Sequence, residues 1–163
     1  MLIARMVQTL TLCFILLSPA LLWAADAIEL LSRVEKVVVT TNEKGEKVAV
    51  IEPAAKVVPG ESVVYTNTYR NVGAAPADDI VINNPIPEHT SYIGDSAFGD
   101  GTAIFFSADG GNTFAPDGEV TIKDEDGKER PARLEEYTHI RWIVKNGLKP
   151  GASGEVGFWA RLQ

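Results

Sequence analysis

Cysteine is nearly absent from this chain. The one thiol, Cys13, falls in an N-terminal apolar stretch, so residues 28–163 offer no disulfide, no thiolate nucleophile and no cysteine metal ligand. Histidine is almost as scarce. His89 and His139 are the only two, they lie 50 residues apart, and no H-x-H spacing occurs. Zinc commonly takes three or four protein ligands, and a histidine base needs a nucleophile within reach. No basic run is present. Fifteen Lys and Arg stand against 22 Asp and Glu, for a net charge of −7. That balance makes the chain a poor candidate for nucleic acid or anionic membrane surfaces, and neither is expected as a partner. The G-x-S-x-G nucleophile pattern is missing too, since Gly94-Asp95-Ser96-Ala97-Phe98 fails at its last position. Paired acids that could serve a glycosidase are too common to single out two. There is no internal repeat and no low-complexity tract. Helical periodicity is lacking after residue 28, with Leu30 to Lys36 the one stretch where a helical turn is arguable.

The N-terminus carries an export signal of the bacterial kind. Arg5 supplies a positive charge, and Leu10 to Leu22 is apolar apart from Thr11, Ser18 and Pro19. Ala25-Asp26-Ala27 gives the small-x-small pattern of signal peptidase, which places the cut before Ile28. An uncleaved anchor would need an apolar run of about 20 residues, longer than this one. A lipoprotein signal would use Cys13, but Phe14 follows it and the apolar region lies mostly after it. Cleavage leaves 136 residues, 28–163, enough for one domain with a sizeable core. Arg5 and Asp26 leave together, so the net charge stays at −7. Apolar residues make up 45% and charged residues 23%, near globular averages. A periplasmic or secreted protein is expected, with no membrane insertion after cleavage.

What the mature chain has in abundance is alternation with period two. Val37-Val38-Val39 and Val48-Ala49-Val50-Ile51 flank a turn at Asn42 to Lys47. Between Glu61 and Arg70, Val63, Tyr65 and Tyr69 share one face, with Thr66, Thr68 and Arg70 opposite. Short apolar runs follow at Ile80-Val81-Ile82, Ser91-Tyr92-Ile93, Ala103 to Phe106 and Val120-Thr121-Ile122, the last before an Asp126-Gly127 turn. Ile140, Trp142 and Val144 alternate with Arg141 and Lys145, and Val156, Phe158, Ala160 and Leu162 alternate with Gly157, Trp159 and Arg161. Eight or nine short strands broken by Gly, Pro and Asp predict an all-β antiparallel sandwich or barrel. Asn67 has the parity of the apolar face, where an unpartnered amide costs about 1–3 kcal/mol. It is expected near a sheet end, satisfied by backbone or water.

Val58-Pro59-Gly60-Glu61-Ser62-Val63-Val64-Tyr65-Thr66 resembles the opening of the conserved-repeat domain of bacterial and archaeal surface proteins, domain-of-unknown-function family eleven. Asn71-Val72-Gly73 and Ile80 to Pro87 match its later Asn-x-Gly and apolar-strand elements, with Asn84 where Asp is usual and Ile86 where Leu is usual. The stretch Ile140 to Val144, then Pro150-Gly151 and a last alternating strand, resembles the family's ending. The similarity spans residues 56–163. It implies an immunoglobulin-like β-sandwich and no known catalysis, and no cofactor is expected. The family often occurs as tandem modules, whereas this chain has one copy. The hairpin at 34–52 lies outside the family pattern.

Three clusters stand out. Ser107-Ala108-Asp109-Gly110-Gly111-Asn112-Thr113-Phe114 matches the Asp-box S-x-D-x-G-x-T-[WF] and resembles the turns of propeller blades. There Asp and Thr bond the turn backbone and the aromatic packs beneath. One copy builds no propeller, so Ser107, Asp109, Gly111, Thr113 and Phe114 are expected to stabilise a turn. Asp124 and Asp126 carry hard oxygens that suit calcium, but six to eight such ligands are needed. An acidic hairpin turn is the simpler expectation. Trp159 and Arg161 have the parity of the outer face, and both residue types are favoured in binding hot spots. The alternative is that Trp159 packs under the N-terminal hairpin. The expected role is therefore structural or protein–protein interaction in the cell envelope, with an envelope or surface protein as partner. The alternative is a small-ligand or calcium-binding module.

Overall fold

Alternation becomes strand along residues 28–163, the part of the chain that the computed structural model describes. The expected signal at 1–27, with Cys13 and the Ala25-Asp26-Ala27 site, lies outside the described residues. The strands are β1 (Ile28–Thr41), β2 (Lys47–Pro53), β3 (Ser62–Asn71), β4 (Val81–Pro85), β5 (Thr90–Tyr92), β6 (Phe98–Gly99), β7 (Thr102–Ser107), β8 (Thr121–Lys123), β9 (Glu129–Pro131), β10 (His139–Val144) and β11 (Ser153–Leu162). A single 3-10 turn, Leu134–Glu136, interrupts them. The described residues hold eleven strands, not the expected eight or nine, because β6 and β9 are too short to show a period in sequence.

Every pairing is antiparallel. One sheet runs β2-β1-β3-β11-β5, with β6 also on β11; a second runs β4-β10-β7; β8 and β9 form a separate hairpin. The two larger sheets pack face to face, as in a β-sandwich. Val156, Phe158 and Ala160 of β11 meet Ile140 and Trp142 of β10, and all five are fully buried. Trp142 and Phe158 stack with ring centroids 6.4 Å apart, and Tyr65 stacks on Phe158 at 5.2 Å. Each such buried apolar side chain contributes roughly 1.5–3 kcal/mol. Trp142 is also polar at one edge, and its Nε1–H donates to the Phe98 carbonyl at 3.0 Å.

The stretch Leu30 to Lys36 is strand, not a helical turn. Ile28 to Lys36 of β1 pairs residue for residue with Asn71 to Val63 of β3. The ladder satisfies the backbone groups of alternate residues along this stretch, which a lone helical turn could not do. Asn67 is corrected as well. It sits mid-strand in β3, not at a sheet end, and its partner is a side chain. Ser32 lies directly opposite it across the ladder and donates its hydroxyl to Asn67 Oδ1. Asn71, fully buried, ties a loop: its Nδ2 donates to the carbonyls of Ala75 (2.8 Å) and Leu148 (2.7 Å), and its Oδ1 accepts from Gly73 N–H.

Candidate interaction surface

The sandwich is lopsided. The second sheet is three strands wide and leaves β1 and β2 at the far side of the first sheet largely uncovered. Beyond Lys36, β1 has no pairing with β3 and continues only with β2, from Lys36↔Glu52 to Thr41↔Lys47. This forms a two-stranded ribbon that runs past the end of β3. Asn42 closes its tip: Oδ1 accepts from the N–H groups of Lys44 and Glu46, and Gly45 takes a positive φ of 80°.

The ribbon is apolar on both faces. Val37 and Ile51 pair on the outer face, with Val39 next to them opposite Ala49, and Val38 pairs with Val50 on the inner face. Val39 is 64% exposed and Ile51 57%. Leu30, Leu31 and Val34 extend the apolar surface along the part of β1 that pairs with β3. Exposed apolar groups in a contiguous patch mark interaction sites, and a two-stranded hairpin is marginal by itself in water. Among the described residues the edge is open too. The bonds Asn42 N–H to Glu46 O and Ala54 N–H to Val34 O show that even-numbered residues face each other across the hairpin. By alternation, the backbone groups of Lys47, Ala49 and Ile51 point outward from β2, the terminal strand of its sheet. Lys47 and Pro53 bracket that edge, and both residue types are common edge guards, but the five residues between carry only one charge, Glu52.

The sequence-derived residues fall elsewhere. Trp159 is half-buried on the outer face opposite Val64, which pairs in turn with Glu35 of β1. The loop before β6 holds it: Trp159 N–H donates to Ser96 Oγ, and its carbonyl accepts from Ile93 N–H. Arg161 is exposed beside Ser91, Ile93 and Glu135 in a shallow depression at the β5 edge. Neither residue adjoins the free edge of β2.

The Asp109 turn is dense with bonds. Asp109 Oδ1 accepts from Ser107 Oγ (2.7 Å) and from the N–H groups of Asn112 and Thr113, and Oδ2 accepts from Thr113 Oγ1 (2.7 Å). Ser107 Oγ accepts from Gly111 N–H. The Thr113 backbone N–H, then the Ser107 and Thr113 hydroxyls, hold the Asp109 carboxyl far below the usual carboxylate range. Gly111 has a positive φ of 84°, and a Cβ added there would lie 3.3 Å from the His139 ring, so a side chain would be strained and crowded. Phe114 lies under the Arg141 guanidinium, 3.6 Å from ring centroid to Cζ, a cation–π contact.

Asp124 Oδ1 accepts from the N–H groups of Asp126 and Lys128 and so closes the β8–β9 turn. Among the described residues no three of His, Cys, Asp and Glu converge into a metal-sized cluster. His89 sits at φ 62° in the turn before β5, and His139 starts β10. Glu136 gathers Arg130 in a two-point ion pair at 2.6 and 2.8 Å and accepts from Arg133 N–H, which lowers its pKa to about 2.

No family, curated protein or solved structure matches the chain. The reading of this surface therefore rests on its own physics. Sequence reasoning located the hairpin at 34–52 but left open whether it completes the sandwich or projects from it as this exposed ribbon does. Its signal was present in the run of valines on both parities, which no single buried face can accommodate.

Proposed function

We propose that residues 28–163 form an exported cell-envelope module, immunoglobulin-like in its sandwich, with a structural or protein–protein interaction role and no catalysis. The observation that carries this reading is the ribbon of β1 and β2, with its two apolar faces and unpaired outer edge. Such an edge accepts an added strand: main-chain bonds supply affinity, and alternate side chains supply selectivity. The resemblance of residues 56–163 to the conserved-repeat surface domain supports the same setting, as do the export features of residues 1–27. Trp159 and Arg161 are kept as a second, smaller contact on the outer face. The calcium alternative gains nothing from Asp124, whose carboxylate is engaged in its own turn.

The test is a cross-linking pull-down from the native host's envelope with tagged residues 28–163, analysed by mass spectrometry. A Val39→Lys, Ile51→Lys double variant runs in parallel. Envelope proteins recovered by the parent and lost by the variant are the expected result. Equal recovery by both, or none by either, sinks the reading.

A further inference from the structure

We infer that the free edge of β2 takes a second copy of this chain, forming a continuous four-stranded antiparallel ribbon β1-β2-β2-β1 about a two-fold axis at Val50. The inference rests on the reading of the ribbon as a contact surface and names its occupant. The first argument is register. Only the odd-numbered residues of β2 present backbone groups outward, so two copies can pair only with odd opposite odd. Centring on Val50 satisfies this and uses all seven residues of β2. Ala49 then exchanges bonds with Ile51 of the second copy, and Val50 faces its own equivalent.

Side chains agree with that register. The β1–β2 pairing already aligns Val37 with Ile51, Val38 with Val50 and Val39 with Ala49. Extended across the axis, the outer face gains two rows of four apolar residues, Val37, Ile51, Ala49 and Val39. The inner face gains one row of four valines. Charges fall in compatible places. Glu52 faces Val48 of the second copy, and Lys47 faces Pro53, whose ladder neighbour is Glu35. The neighbouring registers are worse. Centring on Ala49 sets Glu46 against Glu52 twice, and like charges directly opposite are destabilising. Centring on Ile51 leaves only five residues of β2 paired.

Charge distribution adds an independent reason. Residues 28–53 hold five acids and four bases, net −1, whereas residues 54–163 hold 16 acids and ten bases, net −6. The ribbon is the near-neutral part of an acidic molecule. Antiparallel pairing puts the two acidic bodies at opposite ends of β2, separated by roughly 24 Å of strand. That exceeds the screening length of about 8 Å at physiological ionic strength, so body repulsion does not oppose the contact.

The absence of cysteine from residues 28–163 makes the test clean. Val50→Cys places two thiols across the axis, in a pair that exchanges no backbone bonds and so brings side chains close. Val39→Cys places a more exposed thiol on the outer strand, far from its equivalent. Under mild oxidation Val50→Cys should form disulfide dimers at least about tenfold faster, because held thiols experience millimolar effective concentration. Ala49→Pro removes only an outward N–H and should make the chain monomeric in sedimentation velocity, with an unchanged circular dichroism spectrum. Equal trapping of both cysteine variants, or a parent chain that is monomeric at every concentration, overturns the second copy as occupant. The pull-down then decides the broader reading separately: Ala49→Pro losing an envelope protein would leave that reading standing without self-pairing.

Discussion

Strands β11 and β2 look alike in sequence and differ in fate. Both read as strands, both are rich in small apolar residues, and both lie in the same sheet. In β11, Val156, Phe158 and Ala160 are fully buried, while in β2, Val50 and Ile51 remain largely exposed. The difference lies in what stands across from them. β11 sits under β10, whose Ile140 and Trp142 fill the space between the sheets. β2 lies outside the reach of a second sheet three strands wide. Alternation thus states which side chains share a face. Whether anything covers that face depends on the width of the opposing layer.

That contrast can be broken most forcefully at Phe158. Truncation to alanine removes the ring that stacks with Tyr65 and Trp142, and should lower unfolding free energy by about 3–5 kcal/mol in urea denaturation. A loss under about 1 kcal/mol would mean that the core is not shared by the two sheets as described. The boundary between body and ribbon is probed next. Asn67→Ala leaves the Ser32 hydroxyl without its acceptor and should cost about 1–3 kcal/mol. Ser32→Ala combined with Asn67→Ala should cost less than the sum of the two single changes, since they share one bond. Strict additivity would rule out that bond.

Acid should act on the body through Glu136. Glu136 is held at about 2 by Arg130 and by the Arg133 N–H, against about 4.3 in an unfolded chain. A depressed folded value stabilises above the unfolded pKa, so its contribution is full at neutral pH and is lost as pH falls from about 4.3 towards 2. Urea midpoints measured through that window should fall less steeply in Glu136→Gln than in the parent. Identical slopes would refute the ion pair's role. The smallest effect belongs to the ribbon itself. At concentrations where the chain is monomeric, Val39→Thr should change unfolding free energy by no more than about 0.5 kcal/mol, as expected for an exposed site. A larger loss would show Val39 covered within the single chain.

Much of this architecture was legible before any coordinates. The turn at Asn42 to Lys47, the inward parity of Tyr65, Tyr69, Trp142 and Phe158, and the compact motif around Asp109 all depend on residues close in sequence or on a simple period. Other features depend on distant pairing. Ser32 and Asn67 meet across 35 residues, and nothing local to either marks the other. The first nine residues of β1 mix charged and apolar side chains without a clear period, so the ladder with β3 and not local propensity makes them a strand. At the ribbon, the valines were visible, but their exposure follows from a second sheet that stops short.

The arrangement around β3 has a mechanical consequence. β1 and β11 run in the same direction on its two flanks, with Ile28 opposite Asn71 and Arg161 opposite Ser62. The two ends of this framework therefore lie at opposite ends of one central strand. Tension applied at Ile28 and Leu162 would load both ladders along their length, in shear, so that many backbone bonds bear the force together and none can be peeled in turn. A module strung between two anchors in this way would resist stretching like a lap joint.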